Sequence, residues 1–335
     1  MSRHAAITGI GSYLPETVLT NAELERMVDT SDEWITTRTG IKERRLAGDG
    51  EATSHLGARA GVRALKDAGL AADTIDLLVV GTSSADHVFP SAACLIQDQL
   101  GLTCSAHDVN AACTSFIYAL QTGVTAIESG RAERVLVIGA DTLSRFTDFT
   151  DRGTCILFGD GAGAVVLEAS DEPGVMGIVM GSDGSGKDML TIPAGGSAMP
   201  VTPEALAAHE QFIKMVGTDV FKFALKIIPA VTTQALEASD MTIDDLDWLI
   251  PHQANQRIIT AAADRLGMSE DQVISNVEYT GNTSSGSIPL ALDDLYTSGR
   301  ITRGDTLAFV GFGAGLTWGA AIVRWTKTTP NKEAL

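Results

Sequence analysis

The sequence contains two copies of one structural plan, and this repeat restricts the fold more than any other feature. The helix and apolar strand of residues 63–80 recur in residues 234–250, at an offset of 171 residues. The tripeptide Ser-Gly-Arg at 129–131 recurs at 298–300, at an offset of 169 residues, and each copy precedes another apolar strand. Because such matches in the same order are improbable by chance, the sequence predicts two similar halves.

Each half alternates strands with helices, which predicts a mixed β-sheet with helices on its faces and places the chain in the α/β class. The polar turn 170–174 predicts a boundary between an N-terminal half, 1–172, and a C-terminal half, 173–335. The segment 182–202 is rich in Gly, Ser and Pro and is predicted to be a surface loop. Residues 49–53 and the tail from Lys327 are also predicted to be exposed.

The composition excludes several classes of protein. A net charge of −18 argues against a general nucleic-acid-binding protein, and an acidic partner would need a local basic surface. No apolar run approaches the ~20 residues of a membrane-spanning helix, and the N-terminus is predicted to be a strand rather than a signal peptide. Four cysteines without CxxC spacing predict reduced thiols in a cytoplasmic protein: Cys94, Cys104, Cys113 and Cys155.

Cys113 is placed where the predicted strand 106–110 gives way to a helix. Unpaired backbone N–H groups and the helix dipole favour an anion there, so we expect this thiol to ionise more readily than a free cysteine. The neighbouring residues, among them Thr114 and Ser115, are small and would let a substrate approach the backbone. The alternative is that Cys113 is a small buried hydrophobic residue, the commonest environment of a cysteine.

The repeat connects Cys113 to two residues of the second half. At the offset of 169, the position equivalent to Cys113 is Asn282. His252 follows the strand 247–250, at the carboxyl end where ligands bind in α/β sheets. If the three side chains converge between the halves, the thiol and imidazole could perform covalent catalysis and the amide could hold an oxyanion. Alternatively, His252 is a structural histidine and Asn282 caps the following helix.

Eight longer motifs accompany these residues, at 30–35, 38–45, 89–94, 151–154, 158–163, 251–255, 281–284 and 311–319. In this order they resemble the β-ketoacyl-acyl carrier protein synthase III family over nearly the whole chain. The resemblance implies a thiolase-like fold, with two pseudo-symmetric halves in αβαβα layers.

The resemblance also implies roles at the catalytic centre. Cys113 would be the nucleophile that accepts the acyl group, and His252 and Asn282 would complete the triad. The N–H groups of Cys113 and Gly315 would form the oxyanion hole. Without the resemblance, the segment 311–315 could be no more than a tight turn.

Further residues would bind the substrates. Trp34 and Arg152 would enclose the adenine of coenzyme A, and Arg38 would lie near its phosphates. Gly217 and Asn255 would line the pantetheine tunnel. Taken alone, Trp34 could equally be a core aromatic residue, and the two arginines could be solvated charges.

Three more residues would act between chains. Phe89 would reach across the interface of a homodimer and limit the acyl pocket, and Arg257 and Arg265 would contact the acyl carrier protein. Asp264 stands where the family usually has Lys, which bears on affinity for the carrier protein. Thr114 and Ser115 stand where the family has a small residue followed by Gly, which bears on acyl preference.

The implied activity is a decarboxylative Claisen condensation of a short acyl-CoA, such as acetyl-CoA, with malonyl-acyl carrier protein. It would run through an acyl-cysteine intermediate, initiate fatty-acid synthesis, and need no metal or redox cofactor. One alternative is a related enzyme of specialised metabolism with another acyl-CoA or acceptor. Two others are a thioesterase and a non-catalytic acyl-CoA-binding or scaffold subunit, which would have no need of the intact triad.

Overall fold

A computed structural model describes residues 3–327 of the 335-residue chain. The strands are β1 (His4–Tyr13), β2 (Thr17–Thr20), β3 (Glu43–Leu46), β4 (Leu77–Gly81), β5 (Ser105–Val109), β6 (Arg134–Thr142), β7 (Asp160–Ser170), β8 (Val175–Ser182), β9 (Leu190–Thr191), β10 (Lys214–Met215), β11 (Trp248–Pro251), β12 (Thr306–Gly313) and β13 (Thr317–Arg324). The α-helices are α1 (Asn21–Leu24), α2 (Asp32–Thr39), α3 (Thr53–Ala68), α4 (Ala92–Leu100), α5 (Ser115–Glu128), α6 (Pro203–Ala207), α7 (Gly217–Glu237), α8 (Gln256–Leu266), α9 (Val277–Thr280) and α10 (Ser287–Thr297).

Two mixed sheets form the centre of the molecule. The first has the strand order β1-β7-β6-β4-β5, with β4 parallel to both β5 and β6. The second has the order β11-β12-β13-β8, with β11 parallel to β12 and the other pairs antiparallel. The first sheet is built from strands between residues 4 and 170, and the second from strands between residues 175 and 324.

The two sheets and three layers of helices alternate, which gives five layers in all. Helices α3 and α4 cover the outer face of the first sheet, and α7 and α8 cover the outer face of the second. Between the sheets lie α5 and α10, which pack against strands of both. The predicted α/β class and the predicted αβαβα layers are therefore confirmed.

The central helix α5 explains why the halves hold together. Its apolar residues occupy nearly all sides, and a helix of that kind is stable only when buried. Two glycines let the middle layer approach the first sheet. A Cβ on Gly81 would lie 2.6 Å from the carbonyl carbon of Ser115, and a Cβ on Gly139 would lie 2.1 Å from the carbonyl oxygen of Ser285. Gly81 ends β4 and Gly139 pairs with it in β6, so both contacts lie in the carboxyl halves of their strands.

The predicted exposure was partly wrong. Asp49 and Gly50 are exposed, but Thr53 begins α3 and is fully buried, and its Oγ1 donates a hydrogen bond of 2.6 Å to the carbonyl of Ser84. Lys327 is largely buried, since its Nζ donates to the carbonyls of Thr8 and Asp67. The rest of the predicted exposed tail lies outside the described residues.

The segment 182–202 is only partly the surface loop that was predicted. It includes β9, and Leu190 and Ile192 pack against a small apolar cluster with Leu143 and Phe158. This cluster forms the wall of a cavity, so the loop covers part of the molecule's interior. Its Gly and Ser content concealed that function.

Candidate active site

Cys113, His252 and Asn282 line one narrow cavity of about 90 Å³ at the boundary between the two sheets. Each side chain is buried, with 7%, 1% and 6% of its surface exposed, respectively. Cys113 follows β5 and His252 follows β11, so both lie beyond the carboxyl ends of parallel strands. The amide of Asn282 donates to the carbonyl of Leu157, which fixes its loop against the first half. The three residues predicted from the repeat and the strand ends are thus brought together.

The backbone at Cys113 is held in an unusual conformation. Ala112 has a φ of +49°, in the left-handed region that non-glycine residues rarely adopt. Ser115 stabilises this turn, because its Oγ accepts from the amide of Ala111 (2.8 Å) and donates to the carbonyl of Ala112 (2.6 Å). Thr114 Oγ1 lies 3.1 Å from Thr317 Oγ1. Thr114 and Ser115 therefore point into the protein, and neither lines the cavities beside Cys113.

The prediction that Cys113 ionises readily was wrong. Burial raises the pKa of its thiol to about 12, with a smaller contribution from the carboxylate of Asp141. The hydroxyl of Ser284 donates to Sγ over 3.5 Å and lowers the pKa by more than the charge of Asp141 raises it, but by less than burial raises it. Helix α5 begins two residues later, at Ser115. Desolvation of the thiolate thus outweighs the helix dipole, and Cys113 is a neutral thiol at rest.

His252 is also uncharged. Burial lowers its pKa from 6.5 to about 3, so the imidazole is neutral at pH 7. Its Nδ1 lies 2.7 Å from Ser287 Oγ, and the edge of its ring packs against Phe312. Among the described residues, nothing hydrogen-bonds to Nε2. Asn282 Oδ1 accepts from the amide of Ser284, which leaves Nδ2 as its group for a ligand.

A second, larger cavity of about 390 Å³ opens on the other side of Cys113. Its apolar wall comes from both halves of the chain and consists of Leu143, Phe158, Leu190, Ile192 and Ile213. Gly315 lies at its edge, with a φ of +134° that favours glycine. Sequence reasoning did not find this wall, because its members are scattered over the chain and share no periodicity.

Phe89 does not line either cavity of its own chain. It is 85% exposed, and the neighbouring Val88 is 90% exposed, in the loop that precedes α4. Two adjacent apolar side chains in water are unusual for a monomer surface.

The predicted coenzyme A residues form two groups that one hydrogen bond connects. Gly217 and Asn255 line the narrow cavity. Asn255 Nδ2 donates to the carbonyl of Arg38 over 3.1 Å, so it connects this cavity to α2. The guanidinium groups of Arg38 and Arg152 lie 4.9 and 4.8 Å from the ring centre of Trp34. An adenine between Trp34 and Arg152 would therefore require Arg152 to withdraw from the indole.

Four basic residues form a surface beside the cavity mouth, which we call the basic surface of α7 and α8: Lys222, Lys226, Arg257 and Arg265. Arg257 lies over the ring of Phe221, and Arg265 donates to the carbonyl of Leu225, so both arginines contact α7. The sequence analysis identified the arginines but missed the lysines, whose signal was a spacing of four on one helix. Asp264 is exposed beside them.

Within residues 3–327, no group of three or more Cys, His, Asp or Glu side chains is arranged to bind a metal ion. In the same range, no helix combines the length and apolar character that crossing a bilayer requires.

Two similar halves that bring a thiol, an imidazole and an amide together between their sheets define a condensing acyltransferase of the thiolase-like fold. Family models of 3-oxoacyl-[acyl-carrier-protein] synthase III match residues 107–184, and the corresponding C-terminal model matches residues 236–325. The chain belongs to the β-ketoacyl-[acyl-carrier-protein] synthase III family. Its function is the condensation that initiates fatty-acid synthesis.

Relatives and solved structures agree with this assignment. The chain is 49% identical to the synthase III of Caldanaerobacter subterraneus and 50% identical to that of Xanthomonas campestris, over 96% of this chain and 98% of each relative. The crystal structure of the Aquifex aeolicus synthase III superposes with a TM-score of 0.89 at 42% identity, covering 96% of this chain and all of that one. The priming β-ketosynthase of the R1128 polyketide pathway gives 0.91 at 36% identity, covering 98% of each chain. The higher identity to the synthases favours fatty-acid synthesis over specialised metabolism.

Proposed function

We propose that this enzyme condenses a short acyl-CoA with malonyl-acyl carrier protein through an acyl-Cys113 intermediate. The observation that carries the proposal is the position of Cys113 between a narrow cavity, which also holds His252 and Asn282, and a larger cavity with the apolar wall described above. The narrow cavity suits a thioester arm, and the larger one suits an acyl chain. The half 1–172 supplies the nucleophile, and the half 173–335 supplies the imidazole and the amide.

In the first step, Cys113 Sγ attacks the thioester carbonyl of the acyl-CoA. The S–C bond to coenzyme A breaks, and the proton of the Cys113 thiol leaves with the coenzyme A sulfur. The developing oxyanion accepts hydrogen bonds from the amides of Cys113 and Gly315. In support of this role, the N–H of Gly315 makes no hydrogen bond to another described residue.

In the second step, malonyl-acyl carrier protein occupies the narrow cavity. The bond to its carboxylate breaks, CO2 leaves, and the electron pair forms an enolate whose oxygen accepts from His252 Nε2–H and Asn282 Nδ2–H. The enolate carbon attacks the acyl-Cys113 carbonyl, the C–S bond breaks, and the sulfur regains a proton from solvent. A neutral imidazole suits this role, because with its proton on Nε2 it can donate to the enolate without first gaining a second proton. The balanced steps call for no metal or redox cofactor.

The substrates enter from the side of α2 and α8. Trp34, Arg38 and Arg152 hold the nucleotide of coenzyme A, and Gly217 and Asn255 flank its pantetheine arm. The acidic carrier protein docks on the basic surface of α7 and α8, which offers the local positive charge that a chain of net charge −18 otherwise lacks. Asp264 weakens this surface, and Lys222 and Lys226 offset that loss.

We further propose that the enzyme works as a cytoplasmic homodimer. The exposed Phe89 would enter the acyl pocket of the partner subunit and set its length. This arrangement would cover the apolar loop that Val88 and Phe89 present to water.

Intact-protein mass spectrometry tests the proposed function. The protein is incubated with a panel of acyl-CoAs, with and without malonyl-acyl carrier protein. We expect an acetyl adduct on Cys113 that disappears when the malonyl carrier is added, with acetoacetyl product and CO2 formed. An adduct that water removes without CO2 release would indicate a thioesterase. The absence of an adduct with every acyl-CoA would indicate a binding protein.

The variant His252→Ala separates the two steps. We expect it to form the acyl adduct, because the acylation step needs the thiol and the oxyanion hole. It should lose decarboxylation by about 100-fold or more, because the enolate loses one of its two donors. The measurements are adduct mass and CO2 release, with Cys113→Ser as the variant that should form no thioester adduct. Condensation at the normal rate by His252→Ala would contradict the assigned role.

A further inference from the structure

Asp141 is a fully buried carboxylate that the catalytic mechanism does not use. It lies in β6, next to the carboxyl end of the strand, with no exposed surface. Burying a charge is costly unless hydrogen bonds replace its water. Asp141 accepts six hydrogen bonds, all from neutral donors, and no lysine, arginine or histidine among residues 3–327 forms an ion pair with it.

These hydrogen bonds join the two halves of the chain. Oδ1 accepts from the side chains of Thr82, Ser83 and Ser84, and from the amide of Ser83, all of which directly follow β4. Oδ2 accepts from the amide of Ser285 (2.9 Å) and from its hydroxyl (2.5 Å). A carboxylate is suited to this arrangement, because both of its oxygens only accept hydrogen bonds and its negative charge strengthens them.

The segment of the second half that Asp141 binds also contains Asn282, whose side chain is the proposed catalytic amide. Ser285 lies three residues after Asn282 and directly after Ser284, whose hydroxyl donates to Cys113 Sγ. The hydroxyl of Ser285 also lies 3.4 Å from the carbonyl of Ala112, in the turn that presents Cys113. Asp141 therefore fixes the loop of Asn282 against the loop of Cys113, through one residue that touches both.

We propose that Asp141 is a positioning residue, which holds the loop of Asn282 and Ser284 in place against Cys113. Its effect on kcat rests on the proposed condensation, whereas its effect on the free thiol does not. The titratable groups around Cys113 include Asp141, from β6, the neutral His252, after β11, and Lys187, which lines the larger cavity. Removing the charge of Asp141 should favour the thiolate, because a neighbouring negative charge disfavours a second one.

The variant Asp141→Asn preserves the shape of the side chain and removes its charge. We expect the rate of Cys113 alkylation by iodoacetamide at pH 8, followed by peptide mass spectrometry, to rise more than about twofold, because removing the neighbouring negative charge favours the thiolate. We expect kcat for condensation to fall by about 10- to 100-fold, because the amide and the thiol lose their register. KM for acyl-CoA should stay nearly constant. Looser packing would also expose the buried thiol and accelerate alkylation, so a faster rate supports the effect of the charge only if Ser285→Ala does not share it. An unchanged or slower rate in Asp141→Asn would overturn that effect.

Two further variants make the test decisive. Ser285→Ala retains the charge and removes one link, so kcat should fall while alkylation stays within about twofold of the wild-type rate, as expected where the thiolate fraction is unchanged. Asp160→Asn is the matched control, since Asp160 is equally buried but accepts from Ala47 and Ser144 instead. It should leave alkylation unchanged. If Asp141→Asn cannot be purified folded, an unchanged kcat in Ser285→Ala overturns the proposal. Because alkylation needs no substrate, its outcome is independent of whether the wild-type enzyme condenses.

Discussion

At the residue scale, the active site is built from groups that burial keeps neutral. Cys113 retains its proton and His252 lacks one, so the cavity contains a thiol and an imidazole rather than an ion pair. The neutral imidazole has two tautomers, and Ser287 selects between them. When the Ser287 hydroxyl donates to Nδ1, the proton of the ring is on Nε2, where it can donate to an enolate.

Ser287→Ala tests this selection of the tautomer. We expect kcat for condensation to fall about fivefold, since one neutral hydrogen bond is worth about 1 kcal/mol. Acylation of Cys113 should proceed at nearly the wild-type rate. Stopped-flow measurement of acyl transfer and a coupled assay of CO2 release distinguish the two steps. Ser287→Thr retains the hydroxyl and should restore most of the activity, and equal loss in both variants would indicate a packing effect instead.

The buried His252 also predicts how stability depends on pH. In the unfolded chain His252 binds a proton below about 6.5, whereas in the folded protein it stays neutral down to about 3. The unfolded state therefore gains protons first, and the folded state loses stability as the pH falls from 6.5 towards 3. At pH 5 the loss is about 2 kcal/mol. Urea unfolding at pH 7 and pH 5 measures this loss in the free energy of unfolding. Between the two pH values, the free energy of unfolding of His252→Gln should fall by about 2 kcal/mol less than that of the wild type. Equal decreases in the two proteins would contradict this account.

At the element scale, the hairpin between β12 and β13 is tied to the turn that carries the nucleophile. Thr317 Oγ1 donates to the carbonyl of Ala111 over 2.8 Å and lies 3.0 Å from that of Ala314. One hydroxyl thus sets the spacing between the amide of Cys113 and that of Gly315. The motif at 311–319 drew attention to Gly315 as an oxyanion donor. Nothing in the sequence indicated that Thr317 would connect this hairpin to the turn before Cys113.

Thr317→Val should enlarge or distort the oxyanion hole while it preserves the shape of the side chain. We expect acylation of Cys113 to slow about tenfold or more, because loss of an aligned oxyanion donor costs about 10²–10³ in rate and this change displaces one rather than deleting it. Pre-steady-state release of coenzyme A measures the acylation rate. Thr317→Ser is the control with the hydroxyl retained. If Thr317→Val acylates Cys113 at the wild-type rate, the position of the hairpin does not depend on this hydroxyl.

At the scale of the whole molecule, the sequence was most informative where chemistry follows from topology. The repeat predicted two halves, and the same offset aligned Cys113 with Asn282, because duplication preserves the order of strands and loops. The protonation state of Cys113 could not be predicted in this way. It depends on desolvation by Phe158, Leu190 and Phe312, which are distant in sequence and meet only after both halves have folded. The wall of the apolar cavity was missed for the same reason.

The distribution of charge gives a prediction at the same scale. The double variant Lys222→Glu with Lys226→Glu should raise KM for malonyl-acyl carrier protein about tenfold at low salt, since charges at the rim of an interface mainly steer association. The effect should shrink as salt increases, because exposed charges are screened. KM for acyl-CoA should not change. Lys66→Glu, on the exposed face of α3, is the matched control. Equal effects on both substrates would contradict a carrier-protein surface.

The shared middle layer has a consequence for any attempt to divide the chain. Helix α5 belongs to the first half and α10 to the second, yet each packs against strands of both sheets. A fragment that ended near residue 172 would expose the apolar face of α5, and the complementary fragment would expose that of α10. The two halves are therefore obligate partners in one polypeptide. Fragment complementation could restore the enzyme only when both pieces meet before either aggregates.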